Sequence, residues 1–274
     1  MSSAAPPTDT DTVTVRAMRA DEQHAFALVA VRAFATNRVL RWINSIRPPG
    51  IPSPPADAPS TPLASLPREA RLLYYFMDGL LRTTQLTKGR VMVAVDAEDN
   101  IRAFALWNRP GAVIDSMGMI VRAKQYRAIL GDAWHPFGGW GLSGLRRALH
   151  VQSSFVKSHK KQLKARGVRR EECWTLELLG TDPEHEGKGY AARLIREGLA
   201  FLGDSTPCVV ESNMPRPKAI YECCAVSNGQ CGFCDDYESA TALDGAINLD
   251  LMADRPSERA GRGVQRPSLS CLLP

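Results

Sequence analysis

The spacing of apolar positions changes period several times along the chain, and each change marks out an element. Val13-Thr14-Val15-Arg16 alternates and predicts an opening strand. Phe26, Leu28, Val29, Val31 and Phe34 follow at mixed helical spacings and predict an amphipathic helix. The pattern then breaks at residues 47–67, which hold Pro48, Pro49, Pro52, Pro54, Pro55, Pro59 and Pro62. Each proline removes a backbone donor and resists helix, so a Pro-rich insertion is expected here, disordered or lying over the surface as a lid. Leu72 to Leu81 predicts a second helix. Arg90–Val95 and Ile101–Trp107 read as strands, and the turn residues Asp96 to Asn100 between them make an antiparallel hairpin.

Met117 to Lys164 reads as mostly helical, with a break at Trp134 to Gly141. The basic stretch Lys157 to Arg170 has no aromatic side chains among its charges, which favours a solvated helix end over a nucleic-acid surface. Trp174 to Leu179 predicts a strand, and Ala191 to Leu202 a helix with Leu194, Ile195, Leu199 and Leu202 on one face. Cys208 to Glu211, Lys218 to Cys224 and Ala246 to Met252 predict a strand, a short helix and a last strand. That order specifies an α/β fold with a mixed sheet. One domain over residues 12–252 is expected, with disordered tails at 1–11 and 253–274.

Composition narrows the function only slightly. A chain of 274 residues, 44% apolar, is ample for a buried core. No apolar run approaches the about 20 residues that span a bilayer, so no membrane partner is expected. Residues 1–11 have no apolar leader segment, and the seven cysteines then fit a reducing, cytoplasmic setting. The net charge of +5 suits an anionic ligand without requiring one. Cys231 and Cys234 have a zinc-like spacing, but Cys223 and Cys224 are adjacent and form no second pair, so no metal is expected. His24, His135, His150 and His159 are scattered and read as incidental.

The chemistry concentrates in Leu176 to Ala191. A strand there runs through Thr181-Asp182-Pro183-Glu184-His185 into Glu186-Gly187-Lys188-Gly189-Tyr190-Ala191 and on into a helix. Gly187 and Gly189 let the backbone turn tightly and approach a ligand closely. The first N–H groups of a helix have no partners within it, and its dipole adds about half a positive charge, so the junction suits a phosphate or pyrophosphate. Lys188 adds a charge at the same place. A tight strand-to-helix turn with no ligand explains the glycines equally well. The pattern is not a P-loop, because Gly187-Lys188 is followed by Gly189 and then Tyr190 where Gly-Lys-Ser/Thr is needed. It comes too late in the chain for a first-strand dinucleotide fingerprint.

This segment resembles the acyl-CoA loop of the GNAT superfamily, Gln/Arg-x-x-Gly-x-Gly/Ala, and the run Trp174 to Ala191 is similar to that of puromycin N-acetyltransferase-like members. Ala219-Ile220-Tyr221-Glu222 is similar to the superfamily's Ala-x-x-Leu-Tyr-Glu. Two departures stand out: Glu186 occupies a Gln/Arg position, and an extra stretch, Cys224 to Cys231, precedes Gly232-Phe233. The resemblance implies a GNAT-like mixed, mostly antiparallel central sheet flanked by helices. It implies acetyl-CoA as cosubstrate and direct attack by a primary amine of a small molecule. In that scheme Tyr221 is the acid that protonates the leaving thiolate, and Glu177 is the base, directly or through water. The CoA would lie against Leu179, Gly180, Thr181, Glu186, Gly187, Lys188, Gly189, Tyr190, Ala191 and Asn213, with backbone groups of Leu179 and Thr181 pairing with the pantetheine arm. Strict alternation sets Glu177 on one face with Thr175 and Leu179. A protein N-acetyltransferase and a catalytically degenerate CoA-binding protein stay open as alternatives, and neither acceptor nor oligomeric state is specified.

Overall fold

A computed structural model describes residues 13–44, 61–112, 117–127, 141–165, 167–202 and 207–210. They form a five-stranded sheet in the order β1 (Thr14–Ala17), β2 (Arg90–Val95), β3 (Ile101–Asn108), β4 (Trp174–Thr181) and β5 (Cys208–Val210). The pairs are antiparallel except β4–β5, which is parallel. The mixed, mostly antiparallel α/β class is therefore observed.

Helices cover both faces of the sheet. Helices α1 (Gln23–Phe34) and α3 (Arg68–Leu86) pack on one face, and a late helix (Tyr190–Leu202) packs on the other. Between α1 and α3 lies α2 (Arg38–Ile43); α4 (Met117–Arg122) and α5 (Gly141–Ala165) precede β4, so the late helix is α6. Strand β3 shows how one sequence serves two cores. Ile101, Phe104 and Leu106 enter the α1/α3 cluster, while Ala103, Ala105 and Trp107 enter the α6 cluster. The small alanines leave room for Trp107 and Tyr190, both almost fully buried. Burial of such a side chain contributes about 1.5–3 kcal/mol each.

α1 is buried on nearly every side from Phe26 to Arg32, because it packs against both the sheet and α3. That position explains its mixed apolar spacing, since a helix covered all round needs no polar stripe. α2 has no counterpart among the sequence expectations. Its signal is Asn37, whose side-chain oxygen accepts from the Leu40 N–H at 3.1 Å and caps the helix. β2 has the expected bounds and β1 is shifted by one residue, while α1, α3, β3, β4 and α6 run one to several residues beyond their expected ends. The expected helix at Lys218–Cys224 and strand at Ala246–Met252 lie outside the described residues, as do most of the Pro-rich insertion and both tails.

Candidate active site

Strand β4 carries an irregularity that fixes the geometry of the candidate site. Leu178 pairs with Leu106 and Leu176 pairs with Trp107, which leaves Glu177 as an extra residue in the ladder. Such a bulge bends the strand and re-aims its side chains. Leu176 and Leu179 therefore pack into the α6 core while Leu178 packs against the α1/α3 core. The alternation expected for Glu177 is corrected accordingly: Leu179 faces α6, and the Glu177 carboxylate accepts from Asn108 Nδ2 at 3.2 Å on the other side.

Asn108 is itself fixed from behind. Thr84 of α3, fully buried, donates its hydroxyl to Asn108 Oδ1 at 2.9 Å. A polar chain thus runs Thr84, Asn108, Glu177 across three elements, and Glu177 at its end is only partly buried.

Beyond Glu177 the strand reaches Gly180, which has a packing reason to be glycine. A Cβ there would lie 2.5 Å from the Phe104 ring and 3.0 Å from Phe34. Parallel pairing with β5 is described over Trp174–Leu176 only. Thr181 then leads to Asp182, the fully buried root of the loop. Asp182 Oδ2 accepts from Arg32 Nε at 2.9 Å and from Arg32 Nη2 at 2.7 Å, and the Asp182 N–H donates to the Arg102 carbonyl at 2.7 Å. A single turn follows over Pro183–His185, closed by the His185 N–H on the Asp182 carbonyl at 2.8 Å.

The tip of the loop is open. Residues Glu186 to Gly189 are exposed, and Gly187 and Gly189 adopt φ of +79° and +81°. Nothing lies within 4 Å of the position a Cβ would take at either glycine. Backbone conformation, not crowding, is what requires glycine here. The Gly189 carbonyl accepts from the Arg193 N–H at 3.1 Å, so this glycine opens helix α6. Tyr190 is 1% exposed, and its ring meets the His185 ring edge-on at 6.0 Å. Burial, with the positive charges of Arg102 and Lys188, holds the His185 imidazole below its usual range. Further along α6, Gly198 lets the helix close on the sheet, because a Cβ there would meet the Trp107 ring at 2.7 Å.

Leu179, Gly180, Thr181, Glu186, Gly187, Lys188, Gly189, Tyr190 and Ala191 thus form one continuous strand–loop–helix path, with Glu177 at its start. Tyr221 and Asn213 lie outside the described residues, as do Cys223, Cys224, Cys231 and Cys234. Among the described residues no group of three His, Cys, Asp or Glu side chains is arranged to hold a metal. No described helix is long and apolar enough to cross a membrane. His24 has a structural place: Nδ1 pairs with the Tyr74 hydroxyl at 2.8 Å and Nε2 with the Thr61 carbonyl at 2.9 Å, joining α1 to α3 and to the end of the Pro-rich segment. Arg32, Asn108 and Thr84 are not among the residues the sequence singles out, and Asp182 is named there only as part of the strand-to-loop segment.

No protein-family model and no curated protein matches the chain. Among solved structures it is similar to one from Corynebacterium glutamicum described as histone acetyltransferase HPA2 and related acetyltransferase. The two are 19% identical, the TM-score is 0.42, and the alignment covers 77% of this chain and 82% of that one. A likeness so distant leaves the chemistry to be argued from the residues.

Proposed function

We propose that the chain is an acyl-CoA-dependent N-acyltransferase, acting as a single domain over residues 12–252. The observation that carries the reading is the path from β4 to α6. A bulged strand ends in a loop that is rooted by a buried ion pair and open at two left-handed glycines, and a helix N-terminus follows directly. That combination suits the pyrophosphate of CoA on the loop and the pantetheine arm along the end of β4 at Leu179 and Thr181. Lys188 and the N-terminal dipole of α6 favour the anion, and both Lys188 and Glu186 are exposed.

The reaction is transfer of an acetyl group to a primary amine of a small molecule, as in puromycin N-acetyltransferase-like enzymes. The amine lone pair forms the C–N bond, the thioester C–S bond breaks, and an amide and a free thiol result. Glu177, partly buried at the start of the path, takes the proton the nitrogen loses, directly or through one water. Tyr221 returns a proton to the thiolate. Backbone N–H groups near the end of β4 are suited to steady the tetrahedral oxyanion.

The test is release of free thiol from acetyl-CoA by the purified protein across a panel of primary amines. Amine-dependent release that Glu177→Gln slows by about 10²–10⁴-fold supports the assignment. Absence of release with every amine, and with a longer acyl-CoA, overturns it.

A further inference from the structure

The polar chain behind Glu177 has a direction, and the direction says what it does. Asn108 is 4% exposed and Thr84 is fully buried, so neither amide end of Asn108 has water to fall back on. The amide carbonyl accepts the Thr84 hydroxyl at 2.9 Å, and the NH₂ donates to Glu177 Oε2 at 3.2 Å. Turning the amide over would set its carbonyl oxygen against the carboxylate. The carboxylate and the hydroxyl together therefore allow one orientation of Asn108. Asn108 thereby guides Glu177, the extra residue of a bulge whose side chain is re-aimed there. The guide is anchored on α3, which the α1/α3 core holds through Leu73, Met77 and Leu81.

We propose that Asn108, locked by Thr84, is the positioning residue that aims the Glu177 carboxylate at the attacking amine. The proposal rests on the acyltransferase reading above. Neither Asn108 nor Thr84 touches substrate in this scheme. They act through Glu177, so their loss should fall on the chemical step and spare binding of the acyl donor. A neighbouring hydroxyl supplies the control: Thr87, also buried, donates to the backbone carbonyls of Thr83 at 2.9 Å and Thr84 at 3.1 Å, and is no part of the side-chain links from Thr84 Oγ1 through Asn108 to Glu177.

The experiment is steady-state kinetics with acetyl-CoA and whichever primary amine of the panel releases thiol fastest, alongside thermal unfolding. Asn108→Leu and Thr84→Val are each expected to lower kcat by about 10- to 100-fold, the usual effect of a reacting group misplaced by about 1 Å, with KM for acetyl-CoA nearly unchanged. Thr84→Ser keeps the hydroxyl and should restore most of kcat. Thr87→Val should lower the melting temperature and leave kcat alone. On a Glu177→Gln background, Thr84→Val should have no further effect on kcat. Should Asn108→Leu fail to fold, the Thr84→Val and Thr84→Ser pair decides the matter. The proposal is overturned if Thr84→Val behaves like Thr87→Val, if its loss appears in KM alone, or if Glu177→Gln keeps full kcat. Each of those outcomes leaves the acyltransferase reading standing. Absence of thiol release by the unaltered protein defeats both.

Discussion

Two loops meet at one end of the sheet and are built on opposite plans. The β2–β3 turn closes on itself. Asp96 Oδ1 accepts from the N–H groups of Asn100 at 2.8 Å and Glu98 at 3.1 Å, Asp96 Oδ2 accepts from Arg102 Nε at 2.6 Å, and Asp99 is paired with Arg16 and Arg19. The β4–α6 loop is held at its root, where Arg32 holds Asp182 in the core, and its glycines are exposed beyond. The two are joined by the Asp182 N–H on the Arg102 carbonyl. A turn that spends its polar groups on its own closure serves the fold. A loop with a rigid root and an open, left-handed tip is suited to a ligand.

Substitutions can break this contrast, and the largest effect is expected at the root. Arg32→Leu leaves a buried Asp182 carboxylate without its ion partner, which costs about 3–5 kcal/mol. Denaturant unfolding should show the loss, and acetyl-CoA binding should weaken with it because the loop is no longer held. A loss below about 1 kcal/mol would mean the root is not what fixes the loop.

Asp96→Ala comes next. It removes the acceptor of two backbone N–H groups and of Arg102, for about 1–3 kcal/mol of stability. Affinity for acetyl-CoA should stay as it was. Gly187→Ala and Gly189→Ala invert that outcome. A side chain at positive φ costs about 1–2 kcal/mol, with no steric clash to add. Acetyl-CoA affinity should fall in these variants, because they alter the backbone proposed to face the pyrophosphate. If Asp96→Ala weakens binding as much as the glycine variants do, the two loops do not divide the work as described.

The smallest effect is a pH dependence on the hairpin side. The Arg16 side chain, by its hydrogen bonds, holds the Glu22 carboxyl below its ordinary value of 4.5, against an opposing effect of burial. A carboxyl with a lowered folded value stabilises the protein above the ordinary value, and that stability is lost as pH falls from there through the lowered one. Melting temperature should therefore drop on acidification below about 4.5, and Arg16→Met should flatten that part of the curve. An identical acid profile in the variant would remove Glu22 from the account.

Much of the architecture was legible in the sequence because local chemistry decided it. The hairpin followed from Asp96 to Asn100 between two apolar runs, and α6 from the spacing of Leu194, Ile195, Leu199 and Leu202. The strand–loop–helix path of the candidate site was visible for the same reason, since glycines at a junction announce an unusual backbone. The bulge was not. Leu176, Leu178 and Leu179 are all leucine, so a change of face between them leaves no trace in polarity. The Arg32–Asp182 pair joins residues 150 positions apart, and only the fold brings them together. Gly180 and Gly198 look like any strand or helix glycine until Phe104 and Trp107 are seen against them.

The glycine loop between β4 and α6 is proposed to hold an acyl-CoA. Calorimetric titration of the purified protein with acetyl-CoA, with NAD and ATP as controls, tests it most directly. Binding on the order of micromolar is expected for acetyl-CoA, with none of comparable strength for NAD or ATP and a clear loss in the Gly187→Ala, Gly189→Ala double variant. Failure to bind acetyl-CoA or a longer acyl-CoA, or binding that the double variant leaves intact, would contradict it.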